Sequence, residues 1–321
     1  MYYLNTHHLQ NIPRSWNEII TVIQDAIEAK ASDDFAQPIK PYLRYGEAIN
    51  RIIAMPAYIG GKTNKAGIKW IASFPKNPDK GIRRANSVTI LNNAQTGEPT
   101  CIINSAMISS IRTAAVSGLL VRKYLELNDT KKTFSAGIIG FGPIGRMHFE
   151  MLTQLLGNKL ERIYLYDLKK INIDSIPEEF QSRIVFCDSY NLALEKSDIF
   201  ITATVSSNRY IDNPPKENSL QLNVSLRDYK PNIIEHVDTI IVDDWEEVCR
   251  ENTDIEAMHK VKNLNKEDTY NLEDIFVHNK INEKKDKGII MFNPMGMAIF
   301  DIATANYFYS EAYKNQIGIS L

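Results

Sequence analysis

The stretch from Phe134 to Asp167 reads FSAGIIGFGPIGRMHFEMLTQLLGNKLERIYLYD. An apolar run ends on Gly140, glycines recur at positions 142 and 145, and a helical pattern follows. A second apolar run then closes on Asp167, 22 residues after Gly145. The pattern is strand, tight turn, helix, strand. In such a unit the first glycine permits the turn, the second lets the backbone approach a pyrophosphate, and the third allows close helix–strand packing. The helix start adds oriented N–H donors. An acid at position 167 suits a ribose 2′-hydroxyl and repels a 2′-phosphate, which favours NAD over NADP; Lys169 and Lys170 just beyond it pull the other way. The same glycines also suit a turn that uses them for packing alone.

Working outward, further strand-like runs follow at RIVFCD, DIFITATV, LQLNVS and TIIVDD, with helical segments between several of them, and a last one at GIIMFNPMG. Strands alternating with helices predict a doubly wound parallel sheet. Before Phe134 the texture differs. SWNEIITVIQDAIEAKASDDF reads as an amphipathic helix, with Ser15 and Glu18 at capping-box spacing and Trp16, Ile19, Ile20, Ile23 and Ile27 on one stripe. The runs RIIAMPAYIGG, AGIKWIASF, SVTILNN and PTCIIN, separated by turn residues, predict an antiparallel sheet. The final helix, MAIFDIATANYFYSEAYKN, is expected to pack back on this first part. The expected organisation is therefore an α/β chain in which a Rossmann doubly wound sheet, residues 126–296, is inserted into a smaller α+β domain, residues 1–125 plus 297–321.

The chain has 321 residues, 44% of them hydrophobic, and a formal net charge of -2. That balance speaks against nucleic acid or an anionic membrane surface as a bulk partner. No apolar run approaches the roughly 18 residues of a membrane span, and the start lacks a signal-like pattern, so a cytoplasmic location is expected. Cys101, Cys187 and Cys249 are far apart, and neither a metal site nor a disulfide framework is expected.

Three cations stand where the strand and helix patterns do not ask for them: Arg44 after a proline-interrupted stretch, Lys69 inside the run AGIKWIAS, and Arg112 near the start of MISSIRTAAVSGLL. Burying an unpaired cation is costly, so such residues need an anion. Each one alone also suits a snorkelling side chain or a structural ion pair. Together they point to an acidic ligand, with Arg112 adding its charge to a helix N-terminus. Asp228, in NVSLRDYKP, lies beyond a strand's carboxyl end, where parallel sheets bind ligands. It suits a proton acceptor and equally a turn-forming aspartate. His148, on the helix after the glycine turn, is expected to be a partly buried or surface histidine, and Asp243 and Asp244 loop or cap residues.

The strings GIKWIAS, MISSIRTAAVS, GIIGFGPIG and NPMGMAIFD, in this order, resemble the ornithine cyclodeaminase/mu-crystallin family across nearly the whole chain. The longer strings DDFAQPIKPYLR, RIIAMPAYIGG and IIVDDWEEVCRE are similar to a dehydrogenase branch of it. The resemblance implies an NAD-dependent homodimer acting on a small acidic amino-acid adduct: oxidative cleavage of N-[(2S)-2-amino-2-carboxyethyl]-L-glutamate to 2-oxoglutarate, L-2,3-diaminopropionate and NADH, supplying a siderophore or other specialised metabolite. It implies Arg44, Lys69 and Arg112 at substrate carboxylates and Asp228 as acid/base; we add the expectation that Lys69 also orients a water for catalysis. It further implies Arg112, Thr113 and the turn Gly140, Phe141, Gly142, Pro143, Ile144 and Gly145 near cofactor phosphates, and Asp167 at the ribose. Thr204, Ser206, Val224, Ser225 and Asn293 match segments beside the cofactor. Cyclodeaminases of the family carry a glutamate three residues before the Met-Pro proline, where this chain has Ile53. Ornithine cyclisation and a non-catalytic, mu-crystallin-like binding role are the alternatives within the resemblance.

Overall fold

In the computed structural model, which describes residues 1–47, 49–283 and 288–321, the chain forms two compact units: Met1–Ala115 with Gly296–Leu321, and Val116–Met295. The expected division after residue 125 lies ten residues late. The units part inside the helix Met107–Leu127. Its first half carries Arg112, which bonds to Asp301, while its second half carries Ser117 and Tyr124, which bond to His148 and Asn218.

The first unit contains strands β1 (Tyr2–Asn5), β2 (Phe35–Ala36), β3 (Tyr42–Leu43), β4 (Arg51–Ile59), β5 (Lys65–Ser73), β6 (Ala85–Asn93) and β7 (Pro99–Asn104), with a short strand at Ile319–Ser320. β4 to β7 form the antiparallel meander read from the sequence. The sheet as a whole is mixed, because β1 joins β7 in parallel. That strand is only four residues long and carries no alternation clear enough to announce it. The pleat sends alternate side chains to one face, where Leu4, Met55, Ala57, Ile59, Leu91, Cys101 and Ile103 are all buried. The helix Ala298–Lys314 packs on β4, β5 and β6 and on the helix Trp16–Ala31. In that earlier helix the five stripe residues are buried, and Ser15 accepts from the Glu18 amide at 3.4 Å. The Glu18 carboxylate takes the Tyr307 hydroxyl at 2.9 Å, which ties the two helices together.

The second unit is a seven-stranded, wholly parallel sheet built from β8 (Phe134–Ile139), β9 (Leu160–Tyr166), β10 (Ile184–Phe186), β11 (Ile199–Thr202), β12 (Leu220–Asn223), β13 (Thr239–Val242) and β14 (Ile290–Asn293). The order is β10-β9-β8-β11-β12-β14-β13. Winding runs outward through β9 and β10 and then restarts at β11 on the other side of β8. The switch point thus lies between β8 and β11, where parallel sheets open a crevice at the strands' carboxyl ends. β11 to β14 are fully buried, as strands of a sheet covered on both faces are, and the polar Gln221 and Asn223 of β12 are buried with them. Among the described residues no helix is long and apolar enough to cross a membrane.

The helix–sheet contact in the first unit leaves no room at Gly67. A Cβ there would lie 2.3 Å from the Ile90 carbonyl oxygen and 2.9 Å from Ile302 Cδ1. Gly67→Ala is expected to destabilise the protein by about 1–3 kcal/mol, read as a lower urea midpoint with an unchanged slope.

Candidate active site

The first polar centre is assembled by three elements of the first unit. Lys69 sits mid-strand on β5, facing inward between Met55 and Thr89 in register. Arg112 lies in the first turns of Met107–Leu127, and Asp301 in the first turn of Ala298–Lys314, where the helix dipole favours an acid. Lys69 Nζ is 2.8 Å from one Asp301 oxygen, and Arg112 Nε donates to the other at 3.0 Å. Lys69 also donates to Ser109 Oγ at 3.2 Å. The three residues are 1%, 8% and 0% exposed, so two cations share one carboxylate out of water with one positive charge in excess. Nearby, the buried Lys40 ammonium donates to the Gly296 carbonyl at 2.8 Å. Gly296 has φ +89°, and a Cβ there would meet the Arg112 guanidinium at 2.5 Å, so this glycine of NPMG seats the arginine.

Burial pushes the Lys69 ammonium down to about 8; Arg112 and Lys40 push the same way, and Asp301 opposes them. Burial would raise Asp301, but the summed pull of Arg112 and Lys69 outweighs it and holds the carboxyl below its ordinary value. The sequence argument expected an external acid to balance these cations. The structure corrects that in part, because Asp301 already neutralises one of the two charges. Asp301 was missed, although a lone acid in the apolar run MAIFDIATA is the same signal that singled out Lys69. Arg44 is not buried with the pair. It is exposed, and its guanidinium lies 5.3 Å from the Tyr42 ring centre.

The glycine turn joins β8 to the helix Pro143–Leu156. Gly140 has φ +85°, and at Gly145 a Cβ would lie 2.0 Å from the Gly140 carbonyl oxygen, so both are demanded by the backbone. Gly142 caps the helix without a side-chain hydrogen bond, a Cβ there would project into open space, and the first turn holds no acid. That is an open, donor-lined cradle, and it fits a phosphate. Asp167 follows β9, and its carboxylate accepts from the amides of Phe141 at 2.7 Å and Lys169 at 2.8 Å. The acid is therefore fixed beside the turn, with acceptor capacity on both oxygens. Phe141 offers its amide here while its ring packs inward on Phe149. Pro143 is exposed and Ile144 half-buried.

The second polar centre lies past β11 and β12. Asp228 is fully buried in a cage of hydroxyls. Thr204 donates to one oxygen at 2.6 Å and Ser225 to the other. Burial raises the Asp228 carboxyl above its usual range and the hydroxyls around it lower it in part. Burial, reinforced by Asp228, also pushes the Tyr210 hydroxyl upward. A carboxyl raised by burial is suited to carrying a proton.

Thr204 and Ser225, expected beside a cofactor, thus spend their hydroxyls on Asp228. Ser206 turns its hydroxyl to the Asn208 carbonyl at 2.6 Å, and Val224 is half-buried. Thr113 donates to the Ser109 carbonyl at 2.8 Å. Asn293 is fully buried, and its side-chain oxygen accepts from Asn223 at 2.8 Å. His148 is fully buried, contrary to the sequence expectation, with its ring nitrogens on Ser117 Oγ and the Ile144 carbonyl; burial drives it down to about 4. Asp244 caps the helix Trp245–Val248, and Asp243 accepts from the amides of Asp244 and Met295.

A mixed sheet with a returning C-terminal helix, and a doubly wound parallel sheet with an open glycine turn, define a two-unit chain with a dinucleotide-binding fold. The chain belongs to the ornithine cyclodeaminase/mu-crystallin family, whose profile matches residues 5–316. It is 32% identical to the N-((2S)-2-amino-2-carboxyethyl)-L-glutamate dehydrogenase of Staphylococcus aureus (strain NCTC 8325 / PS 47), over 100% of this chain and 98% of that protein. The structure of the Delta(1)-pyrroline-2-carboxylate reductase of Thermococcus litoralis, in complex with NADH and L-proline, matches with a TM-score of 0.88 at 24% identity over 100% of both chains. An archaeal alanine dehydrogenase dimer with bound NAD matches at 0.81 and 23% identity, over 100% of this chain and 98% of that one. At such identities these structures speak to the fold.

The Lys69 ammonium is expected to titrate near pH 8 when followed by NMR of labelled lysine. Asp301→Asn removes the anion that favours the charged form, so the midpoint falls further and Lys69 is neutral at physiological pH. A midpoint in that variant at or above the wild-type value contradicts this assignment.

Proposed function

We propose that this chain is an NAD-dependent dehydrogenase that cleaves N-[(2S)-2-amino-2-carboxyethyl]-L-glutamate oxidatively to 2-oxoglutarate and L-2,3-diaminopropionate. The observation that carries this reading is the buried Lys69–Asp301–Arg112 centre with its excess positive charge, in a chain similar end to end to a dehydrogenase whose substrate has three carboxylates. Gly140, Gly142 and Gly145, with the open helix start, suit the cofactor's phosphates, and Asp167 suits a ribose hydroxyl. When bound, NAD+ supplies the acceptor for the hydride lost from the glutamate α-carbon.

In this scheme Lys69 and Arg112 hold substrate carboxylates, the arginine by its unused guanidinium N–H groups and the lysine by its remaining donors. Arg44, being exposed and stacked on Tyr42, meets a carboxylate at the rim. Asp228 takes the proton of the secondary amine as the carbon–nitrogen bond becomes an imine. Water adds to the imine carbon, with Lys69 orienting it, the C–N bond breaks, and Asp228 returns its proton to the departing amine. The products are the keto acid, the diamino acid and NADH, and the diamino acid feeds a siderophore or another specialised metabolite. Ile53, on β4 where family cyclodeaminases carry a glutamate, lines up with Tyr42 and Ile71 and offers nothing to an ornithine side chain.

The outer face of the first unit's sheet supports a homodimer. Ile52, Ala54, Pro56, Ile68, Val88 and Ile90 are only half-buried there, and Trp70 is 43% exposed. An apolar surface of this kind on a folded domain marks an interface. Trp70→Asp is expected to shift the mass measured by light scattering from dimer toward monomer.

With the synthetic adduct and NAD+, absorbance at the NADH band is expected to rise stoichiometrically, whereas ornithine yields no net NADH. Asp228→Asn should lower kcat by about 10²–10⁴-fold. Proline formation from ornithine without NADH accumulation would instead establish the cyclodeaminase.

A further inference from the structure

Asp254 is buried to the last ångström and lies at the first position of the helix Asp254–Lys262. In sequence it looks like an ordinary acid in a helix's first turn, and its surroundings say otherwise. One carboxylate oxygen accepts three hydrogen bonds, from the Asp228 amide at 3.1 Å, the Tyr229 amide at 3.1 Å and Asn223 Nδ2 at 3.0 Å. The other accepts from Arg209 Nε at 2.7 Å. The Asp254 amide meanwhile donates to the Leu226 carbonyl at 2.8 Å. Residues 223–229 are thus gripped at four places by one residue.

The loop needs the grip. Leu226 has φ +60°, a left-handed conformation that a branched side chain rarely adopts and that persists only where surrounding bonds overdetermine it. Asn223 contributes by accepting from the Leu226 amide at 3.1 Å. Arg209 is itself anchored, with Nη2 donating to the Asn252 and Thr253 carbonyls at 2.8 Å each. It is therefore fixed as a counter-charge and cannot follow a relaxing loop. A carboxylate suits the position because every group aimed at it is a donor, whereas an amide would turn its own N–H₂ toward one of them.

We infer that Asp254 is a positioning residue for Asp228: it fixes the backbone of the strained turn that delivers the Asp228 carboxylate into its cage of hydroxyls, and Arg209 completes the clamp. This rests on the reading of Asp228 as the proton carrier. The test uses full-length Asp254→Asn and Arg209→Gln proteins with NAD+ and the synthetic adduct, alongside hydrogen exchange of backbone amides. Asp254→Asn is expected to lower kcat at least ten-fold while KM for NAD+ and for the adduct stay within about three-fold. The amides of Asp228 and Tyr229 should exchange faster, with those of β8 and β11 unchanged. Arg209→Gln, altered at a partner that is 20% exposed, should fold and show the same split at smaller amplitude, and it decides the question if Asp254→Asn does not fold. Asp228→Asn should lower kcat by about 10²–10⁴-fold yet leave the Tyr229 amide protected. Wild-type kcat and wild-type exchange in the Asp254 or Arg209 variant would overturn the clamp, as would a loss of kcat matched by an equal rise of both KM values. If the wild-type protein turns over no adduct, the functional reading fails and amide exchange alone decides the clamp.

Discussion

Two cations and one carboxylate, all removed from water, form the interaction on which the first unit depends. Stripping solvent from an ion costs several kcal/mol, and that loss is offset only when the partners are close and well oriented. Asp301 meets the condition by giving one oxygen to each cation. Its partners come from the middle of a strand and from a helix 189 residues earlier in the chain, so the pairing exists only after the C-terminal helix has crossed back onto the sheet. Gly296 belongs to the same arrangement, since only a residue without a Cβ lets the chain pass the Arg112 guanidinium.

The second unit solves the opposite problem. There Asp228 is buried among neutral hydroxyls, which stand in for water around its carboxylate. Burial drives Lys69 down and Asp228 up, so both groups move from opposite ends of the pH scale toward the range in which proton transfer is easy. One centre is dense in charge and suited to holding anions. The other is poor in charge and suited to moving a proton.

Much of the architecture was legible because its signals are local. The Gly140–Gly145 turn, the mostly apolar runs of β11, β13 and β14, and the five-residue stripe of Trp16–Ala31 each state their structure within a few residues. Lys69 and Arg112 were visible for a similar reason, as charges placed where apolar side chains belong. Less was legible where the deciding contact spans the chain. The parallel pairing of β1 with β7, the burial of His148 against Ser117, and the use of Thr204, Ser225 and Asn293 as internal partners all depend on residues brought together by folding.

The sequence alone therefore determined the two kinds of sheet, the glycine turn with its acid at Asp167, and the presence of cations that demand an anion. Periodicity, turn chemistry and the cost of burying charge all act at short range and leave their mark on neighbouring residues. The tertiary structure decided which anion that is, which hydroxyls surround Asp228, and how the left-handed turn at Leu226 is held. Those outcomes rest on distances of about 3 Å between groups far apart in the chain, which no local pattern encodes.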